Sequence, residues 1–247
     1  MSLLQVSNLS IKYPKTVKRA VDDISFVVNP GEVLGILGGN GAGKTSSLKA
    51  IAGLLPCEPE TMIELNNSHL NNVSQREYVR SLIGYCPDTG GVIRQATVED
   101  HLEILLTNKK NVVSRDQAYG VIEHIGLGDF LKQEAGSFSH GMSRRLAVAL
   151  ATLSAEKLLI LDEPFDGVDP LGVEAIQDII DEARRNSLAV IVSTHLLSLL
   201  AKTSDRILVM NKGRLVVEDS ASSFLGEDAN KRYSAILKQD NQRYVPR

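Results

Sequence analysis

The sequence predicts an α/β fold built around a mainly parallel sheet. Segments of strand length alternate with segments of helical composition along most of the chain, and strands joined through helices pair in parallel. Residues 158–161 are all apolar, as expected for a parallel strand that is buried on both faces. The chain has 247 residues, 43% of them hydrophobic, which suffices for one α/β domain with a sizeable core. We therefore expect residues 1–247 to form a single domain.

The first part of the chain contains two kinds of predicted sheet. Residues 3–13 and 19–28 have strand composition and are joined by a polar turn, which favours an antiparallel β subdomain at the N-terminus. The next strand is apolar and leads into a glycine-rich loop, so it belongs to the parallel core. The predicted elements of this part are strands at 3–13, 19–28, 32–37 and 62–65 and helices at 44–54 and 75–82.

Residues 97–155 predict a helical subdomain inserted into this core. Apolar residues there recur at helical spacing, as at Leu102, Leu105 and Leu106, and no convincing strand is present. After the insertion the sequence predicts strands at 158–161 and 189–193, a helix at 172–185 and a hairpin of 206–210 with 214–218. We divide the chain into a parallel core with the β subdomain (1–96 and 156–220), the helical subdomain (97–155) and a helical tail (221–247).

Residues 38–45 form the strongest motif of the sequence. Their letters, GGNGAGKT, match G-x-x-x-x-G-K-[ST] and lie between a predicted strand and a predicted helix, which disfavours an ordinary glycine-rich turn. Glycines let the backbone turn its N–H groups toward phosphates, and the helix N-terminus adds positive potential. Lys44 is expected to reach the β- and γ-phosphates of ATP, and the Thr45 hydroxyl to bind Mg²⁺. The predicted ATP-binding residues of this loop are Gly38, Gly39, Asn40, Gly41, Ala42, Gly43, Lys44, Thr45 and Ser46.

Two carboxylates follow the apolar strand at 158–161. A buried parallel strand delivers its last residues to the sheet edge where ligands bind. At that edge, Asp162 is expected to hold Mg²⁺ through water, and Glu163 to accept a proton from an attacking water molecule as a general base. The alternative is a pair of solvated acids at a strand end.

Beyond these motifs, the sequence resembles the ABC ATPases over nearly its whole length. Residues 138–142, FSHGM, resemble the signature motif usually written LSGGQ, and we call them the signature segment. Residues 165–170 resemble the D-loop of that family, and residues 193–195 resemble its switch-histidine loop. Tyr13 lies 25 residues before Gly38, where the family has an aromatic ring. The resemblance also implies the fold, a P-loop NTPase core with an antiparallel β subdomain and a helical subdomain.

The resemblance implies a site that is shared between two copies. ABC domains pair head to tail, so that each ATP lies between the phosphate loop of one domain and the signature segment of the other. It therefore assigns Ser139 and Gly141 to the nucleotide of the partner, and Asp169 to the interface between the two domains. His195 would contact the γ-phosphate in its own chain as a catalytic residue. Tyr13 would stack on the adenine ring.

Four positions depart from the family pattern, and one of them, Phe138, replaces a leucine and is expected only to pack. His140 and Met142 replace the usual glycine and glutamine of the signature segment, whereas Ser139 and Gly141 are kept, so we expect the segment to work. Asp88 stands where the family usually has the glutamine of its Q-loop. A carboxylate suits a hard cation, so we expect Asp88 to bind Mg²⁺ directly or through water. Because the catalytic residues are present, a homodimer would have two complete sites, and a heterodimer remains open.

Composition and charge restrict the partners. The net charge of −3 gives no electrostatic reason to expect nucleic acid. The two cysteines, Cys57 and Cys86, lie far apart in sequence and favour a reduced, intracellular chain. The sequence shows neither a signal peptide nor an apolar run of about 18 residues. Together with these features, the resemblance to the ABC ATPases implies a chain that lies peripherally at the cytoplasmic face of the cell membrane, bound to a transmembrane permease subunit.

Several details indicate an exporter. Residues 83–88, residues 97–102, Met142 and the pair Arg144-Arg145 resemble the A subfamily and the bacterial ABC-2 type exporters. We therefore predict an ATPase that powers substrate export through a separate permease. The alternatives are an importer ATPase, an ABC ATPase with no role in transport, and a regulatory protein that binds ATP without hydrolysing it. In the family, a groove beside the Q-loop receives a helix of the permease. Residues 89–95 would line that contact, with Val92 and Ile93 as its apolar floor unless both pack internally.

Overall fold

The computed structural model describes residues 2–108 and 113–243, and within these ranges ten strands form two sheets with eight α-helices. The strands are β1 (Leu4–Ile11), β2 (Val21–Val28), β3 (Val33–Leu37), β4 (Met62–Leu65), β5 (Ser68–His69), β6 (Ile83–Cys86), β7 (Leu158–Asp162), β8 (Ala189–Thr194), β9 (Arg206–Asn211) and β10 (Arg214–Ser220). The helices are α1 (Lys44–Ile51), α2 (Arg76–Ser81), α3 (Val98–Asn108), α4 (Arg115–His124), α5 (His140–Ser154), α6 (Pro170–Arg185), α7 (Leu197–Thr203) and α8 (Ala229–Arg243).

The larger sheet confirms the predicted parallel core. Its strand order is β10-β9-β3-β8-β7-β6, and every neighbouring pair is parallel except β9 with β10. All residues of β3, β7 and β8 are buried, because the sheet is covered on both faces. Side chains of β3 alternate between two apolar cores: Val33 and Leu37 face the core formed with α5 and α6, and Leu34 and Ile36 face the core formed with α1 and the smaller sheet.

The smaller sheet confirms the predicted antiparallel β subdomain. Its order is β2-β1-β4-β5, and Leu4 of β1 pairs with Val28 of β2 on one side and with Leu65 of β4 on the other. The predicted strands at 3–13 and 19–28 were slightly too long. The chain leaves β1 after Ile11 and turns through residue Lys15, which has a left-handed backbone with φ of 66°.

Between β6 and β7, the regular elements of the described residues are helical. They are α3, α4, α5 and two short 3₁₀ turns, together with one isolated bridge between Thr97 and Glu134. Helix α4 begins with a capping box, in which the Ser114 hydroxyl accepts from the Gln117 amide and the Gln117 side chain accepts from the Ser114 amide. Residues 109–112 of the predicted helical subdomain lie outside the described residues. The boundaries assigned to the subdomains stay predictions.

Strand β6 is the edge of the parallel sheet, and it was not predicted from the sequence. Its four residues include Gly84, which interrupts the apolar pattern of a strand. A Cβ atom at Gly84 would lie 1.9 Å from the carbonyl oxygen of Ala151 on α5. Glycine is therefore required here, because the backbone of α5 packs directly on β6. This close approach places the start of α5 beside the loop that follows β6.

Residues 221–243 of the predicted tail contain a 3₁₀ turn and a helix, and residues 244–247 lie outside the described residues. A 3₁₀ turn at Ala221–Phe224 buries Phe224, and α8 follows it. The predicted helix at 172–185 begins two residues earlier, at Pro170, because the Asp169 side chain caps it. In the part of the chain that the structure describes, no helix combines the length and the hydropathy needed to cross a membrane.

Candidate functional site

The phosphate loop lies at the carboxyl edge of the parallel sheet. It follows β3 and ends where α1 begins at Lys44, as the sequence predicts. Gly43 precedes α1 with φ of +104°, and a Cβ atom there would lie 2.8 Å from the carbonyl oxygen of Ala20. A larger residue would be strained and would also collide with the segment that leads into β2. The loop is thereby held against the β subdomain with its N–H groups at the sheet edge.

A cleft of about 440 Å³ opens beside this loop. It brings together the phosphate loop, the segment after β6, the residue after β7 and the residue after β8. The residues that line it are Gly39, Asn40, Gly41, Ala42, Gly43, Lys44, Thr45, Ser46, Asp88, Glu163, Asp166 and His195. Most of the residues predicted to bind ATP and Mg²⁺ therefore meet in one place. Gly38 does not line the cleft, but its carbonyl oxygen accepts a hydrogen bond from Nζ of Lys44.

Lys44 is buried and is held by three groups of the site. Its Nζ atom lies 2.8 Å from the carbonyl oxygen of Gly38, 3.5 Å from that of Gly39 and 3.1 Å from Oε1 of Glu163. The ammonium group thus sits over the phosphate loop, within reach of an anion bound there. The carboxylate of Glu163 is its only partner of opposite charge among the ion pairs of the described residues.

Glu163 has an unusual backbone that aims its side chain into the cleft. Its φ is +49°, a left-handed conformation that costs of the order of 1 kcal/mol for a residue other than glycine. Its amide donates to the carbonyl oxygen of Ser193 at 3.0 Å, which holds this conformation. The Oε2 atom lies 3.1 Å from Nδ1 of His195, while Oε1 faces Lys44. The predicted base and the predicted switch histidine are therefore in direct contact.

Asp162 is fully buried and only partly satisfied. Its Oδ1 accepts a 2.5 Å hydrogen bond from the Ser193 hydroxyl, whereas Oδ2 has no hydrogen-bond partner among the described residues. Burial raises the pKa of Asp162, the nearby hydroxyls of Ser193 and Thr45 lower it, and the negative charges of Asp88 and Glu163 raise it further. A buried oxygen without a partner costs free energy unless a cation or water meets it.

The residues at this edge fit a magnesium ion. Mg²⁺ prefers oxygen ligands and is commonly held by one or two carboxylates together with phosphate oxygens of the substrate. Oδ2 of Asp162, the hydroxyl of Thr45 and the half-exposed carboxylate of Asp88 offer this chemistry beside the phosphate loop. Across the described ranges, no group of three or more His, Cys, Asp or Glu side chains forms a metal site without the substrate. The assignment of Thr45, Asp88 and Asp162 to Mg²⁺ stays a prediction.

Tyr13 lies next to the phosphate loop, as the predicted adenine contact requires. Its hydroxyl is 3.0 Å from the hydroxyl of Ser46 on α1, and the residue is about one-third exposed, at 38%. The ring is therefore held through its hydroxyl group and remains partly exposed to solvent. This placement is compatible with stacking on a base, which stays a prediction.

The residues predicted to act on a partner's nucleotide lie outside the cleft. The Ser139 side chain caps α5 by accepting from the Met142 amide at 3.2 Å, and the Asp169 side chain caps α6 by accepting from the Gly172 amide at 2.8 Å. Gly141 packs against the segment after Glu163, since a Cβ atom there would lie 2.9 Å from the carbonyl oxygen of Gly167. Among the described residues that line the cleft, none belongs to the signature segment.

Three residues of this region have roles that the sequence did not reveal. Ser193 binds both Asp162 and Glu163, Asp166 lines the cleft, and Arg144 binds the segment of Asp88. Each occurs in a motif that was recognised for another residue. Their roles depend on contacts between segments far apart in sequence. Only Ser193 could have been suspected from the sequence, because it begins the switch-histidine loop at residues 193–195.

The strand-loop-helix phosphate site, with two carboxylates at the end of β7 two strands away in the same sheet, defines a P-loop protein that binds and hydrolyses ATP. Residues 21–166 match the sequence profile of the family described as ABC transporter, and this chain belongs to that family. The predicted family, fold and ATPase activity are thereby confirmed.

The relatives of the chain match it over most of its length. The lipopolysaccharide export system ATP-binding protein LptB of Escherichia coli is 29% identical, over 94% of this chain and 96% of that protein. The bacitracin transport ATP-binding protein BcrA of Bacillus licheniformis is 30% identical, over 99% of this chain and 78% of that protein. A solved ATP-binding subunit of an ABC transporter superimposes with a TM-score of 0.84 at 27% identity, covering 96% of this chain and all of that one. The chain is therefore an ATP-binding protein of the ABC transporter type.

Proposed function

We propose that this chain powers export of a substrate through a separate membrane permease, and that two copies pair around two ATP molecules. The names of two relatives, which refer to lipopolysaccharide export and to bacitracin transport, support a transport role with export as its direction. The observation that supports pairing is that the signature segment does not line the cleft of its own chain. Ser139 and Gly141 can then serve the nucleotide of a second copy, or of a related subunit.

The geometry suggests how one chain prepares hydrolysis. Backbone N–H groups of the phosphate loop and Nζ of Lys44 bind the β- and γ-phosphates. When Lys44 turns from Oε1 of Glu163 to a phosphate oxygen, that carboxylate oxygen is released from its ion pair. His195 holds Oε2, so Oε1 is free to accept a proton from the water that attacks the γ-phosphorus. Mg²⁺, held by Thr45, Asp88 and Asp162, would neutralise charge on the phosphates.

Mixing two inactive variants tests whether the sites are shared. Glu163→Gln removes the base but leaves the signature segment, and Ser139→Ala removes the signature hydroxyl but leaves the base. In a mixed dimer, the site that combines the phosphate loop of the Ser139 variant with the signature segment of the Glu163 variant is complete. We expect each variant alone to be nearly inactive and an equimolar mixture to regain up to about a quarter of the wild-type ATPase rate, since half of randomly assorted dimers are mixed and each has one complete site.

The control for this experiment is another N-cap serine of the same region. Ser139→Ala also removes a helix cap and is expected to cost about 1 kcal/mol of stability. Ser114→Ala removes the cap of α4, away from the cleft, at a comparable cost. It should retain the wild-type ATPase rate. A mixture that stays as inactive as its components would show that the site is not shared in this way.

The predicted permease contact is partly exposed in the structure. Ile93 is 52% exposed, whereas Val92 is half-buried and packs on the core, so only one of the two is available as a surface. The Ile93 amide donates to Nε2 of buried His101 at 2.8 Å, and Nδ1 of His101 donates to the carbonyl oxygen of Thr97 at 2.6 Å. Helix α3 therefore holds this segment in place while the Ile93 side chain faces out.

A charge at Ile93 is expected to weaken binding to the permease. Ile93→Glu places a carboxylate on an apolar contact, and its desolvation should lower the membrane-bound fraction of the protein several-fold. The measurement is co-sedimentation with salt-washed membrane vesicles from the source cells, together with the ATPase rate in solution, which should not change. Val73→Glu, at an exposed position of the β subdomain region, is the control and should bind as the wild type does. If Ile93→Glu also binds like the wild type, this surface is not the permease contact.

A further inference from the structure

Arg144 is a buried arginine that connects the signature helix to the segment of Asp88. It lies in the second turn of α5, and its side chain is only 3% exposed. Its Nη1 atom donates to the carbonyl oxygen of Pro87 at 2.5 Å and lies 3.9 Å from Sγ of Cys86. Its Nη2 atom donates to the carbonyl oxygen of Asp88. One guanidinium group thus contacts three consecutive residues, the last residue of β6 and the two that follow it.

The charge of Arg144 is incompletely compensated in this position. Asp88 Oδ1, at 3.9 Å from Nη2, is the carboxylate oxygen that pairs with it among the described residues. Nε is buried without a hydrogen-bond partner in the same part of the chain. A buried cation is costly unless an anion and hydrogen bonds compensate it. The carboxylate of Asp88 is 44% exposed and also lines the nucleotide cleft, so it lies between the guanidinium group and the phosphate loop.

We propose that Arg144 is a positioning residue that holds Asp88 at the metal side of the nucleotide site. Its two hydrogen bonds to consecutive carbonyl oxygens fix the backbone of the segment, and its charge restrains the carboxylate. The close packing of α5 on Gly84 gives the arginine a rigid base. The inference rests on the proposed role of Asp88 as a Mg²⁺ ligand.

This arrangement also joins two halves of the proposed dimer. Ser139 caps the same helix that bears Arg144, and it is proposed to contact the nucleotide of the second copy. The metal side of one site and the signature side of the other are then attached to one rigid helix.

The test measures metal affinity directly, without hydrolysis. Mn²⁺ replaces Mg²⁺ and is titrated into ADP-loaded protein, with binding followed by electron paramagnetic resonance. Arg144→Met is expected to weaken Mn²⁺ binding about tenfold, the lower end of what is typical when the residue supporting a ligand is lost. Arg144→Lys keeps the charge but not the pair of hydrogen bonds to consecutive carbonyl oxygens. Its Mn²⁺ affinity should lie between those of the wild type and Arg144→Met. ADP affinity in the presence of a chelator should stay within about twofold of the wild type, since the phosphate loop is unaltered.

Arg145→Met is the matched control. Arg145 is the next residue of α5, but its Nη1 donates to the carbonyl oxygen of Ile125 within the helical region at 2.6 Å. This variant loses an arginine of the same helix and should bind Mn²⁺ as the wild type does. Folding is checked by the melting temperature, and Arg144→Gln replaces Arg144→Met if the latter does not fold.

A double variant separates this inference from the proposed function. If Arg144 acts through Asp88, Arg144→Met adds nothing to the loss of Mn²⁺ affinity in Asp88→Ala. If Asp88→Ala binds Mn²⁺ normally, the proposed metal role of Asp88 is wrong. If Asp88→Ala weakens binding but Arg144→Met and Arg144→Lys do not, the positioning role is overturned. The same holds if Arg144→Met weakens binding further in the Asp88→Ala background.

The chain has an internal reporter for the segment itself. Cys86 is fully buried beside Arg144, and Cys57 is the other cysteine. In a Cys57→Ser background, the rate at which a thiol reagent modifies Cys86 measures how often the segment opens. Arg144→Met should raise this rate several-fold, and Arg145→Met should leave it unchanged. A faster Cys86 reaction with wild-type Mn²⁺ affinity would reduce Arg144 to a structural role and overturn the proposal.

Discussion

Glu163→Gln is expected to lower ATP turnover by about 10²–10⁴-fold, the usual contribution of a general base. Glutamine has the same shape and can keep a hydrogen bond to His195, but it cannot accept the proton of the attacking water. The substitution also removes the ion pair with Lys44, so the ammonium group is left for the phosphates. ATP binding should therefore be as strong as in the wild type, or stronger. The measurement is phosphate release at saturating ATP beside ATP affinity at equilibrium.

Loss of turnover with retained binding should trap the proposed dimer. We expect Glu163→Gln to double its mass in light scattering when ATP and Mg²⁺ are added, whereas the wild type returns to the monomer as ATP is consumed. Glu182→Gln removes an exposed carboxylate outside the cleft and is the control, with wild-type turnover expected. Unchanged turnover in Glu163→Gln would exclude this residue as the base. A loss of turnover without any dimer would leave the base in place but contradict the shared site.

Asp162→Asn is expected to abolish metal-dependent turnover and to stabilise the protein without metal. The buried carboxylate has one oxygen without a partner, and burial raises its pKa, which means that its ionised form is destabilised in the folded state. This penalty is absent below the pKa of the unfolded chain and is complete above the raised pKa of the folded protein. Asparagine keeps the acceptor for the Ser193 hydroxyl and removes the charge. At neutral pH we expect a gain of about 1 kcal/mol, or about 2–4 °C in melting temperature for a chain of this size.

Mg²⁺ with ADP should reverse the order of the melting temperatures of the wild type and Asp162→Asn. In the wild type the cation compensates the charge of Asp162, so Mg²⁺ with ADP should raise its melting temperature more than ADP alone does. In Asp162→Asn the extra shift should be lost. Asp219→Asn is the control, because Asp219 is a half-buried carboxylate outside the cleft that is already paired with Arg232, and its replacement should neither stabilise the protein nor change turnover. A variant at Asp162 that melts lower than the wild type without metal, or that keeps its Mg²⁺ response, would contradict this explanation.

The parts of the site that follow from local sequence were predicted correctly in place. The phosphate loop occupies residues 38–45 between a strand and a helix, and the acidic pair follows an apolar strand. Both motifs depend on neighbouring residues: glycines allow the left-handed turn at Gly43, and four apolar residues bury the strand before Asp162. The alternation of strands and helices likewise predicted the parallel core. Such features require only short stretches of chain.

Strand β6 and the environment of Asp88 could not be predicted in this way. The sequence placed Asp88 in a family position, but its partner Arg144 is 56 residues away and was recognised only as part of the pair Arg144-Arg145 that resembles exporters. Strand β6 is four residues long and contains a glycine whose function is to admit the backbone of α5. No periodic pattern of residues indicates either feature, because each depends on how two segments that are distant in sequence pack together.

The sequence by itself determined that the chain has a phosphate loop, an acidic strand end and a signature segment, and hence that it is an ATPase of this family. The tertiary structure alone decided which of these groups meet: that Glu163 contacts both Lys44 and His195, and that Ser193 satisfies one oxygen of Asp162 but not the other. A motif consists of residues that are close in sequence. These contacts instead arise from the strand order β3-β8-β7, which brings the ends of three strands that are separated in sequence to one edge. The functional groups of the separate motifs meet at that edge, because the ends of parallel strands lie side by side only after the whole sheet has formed.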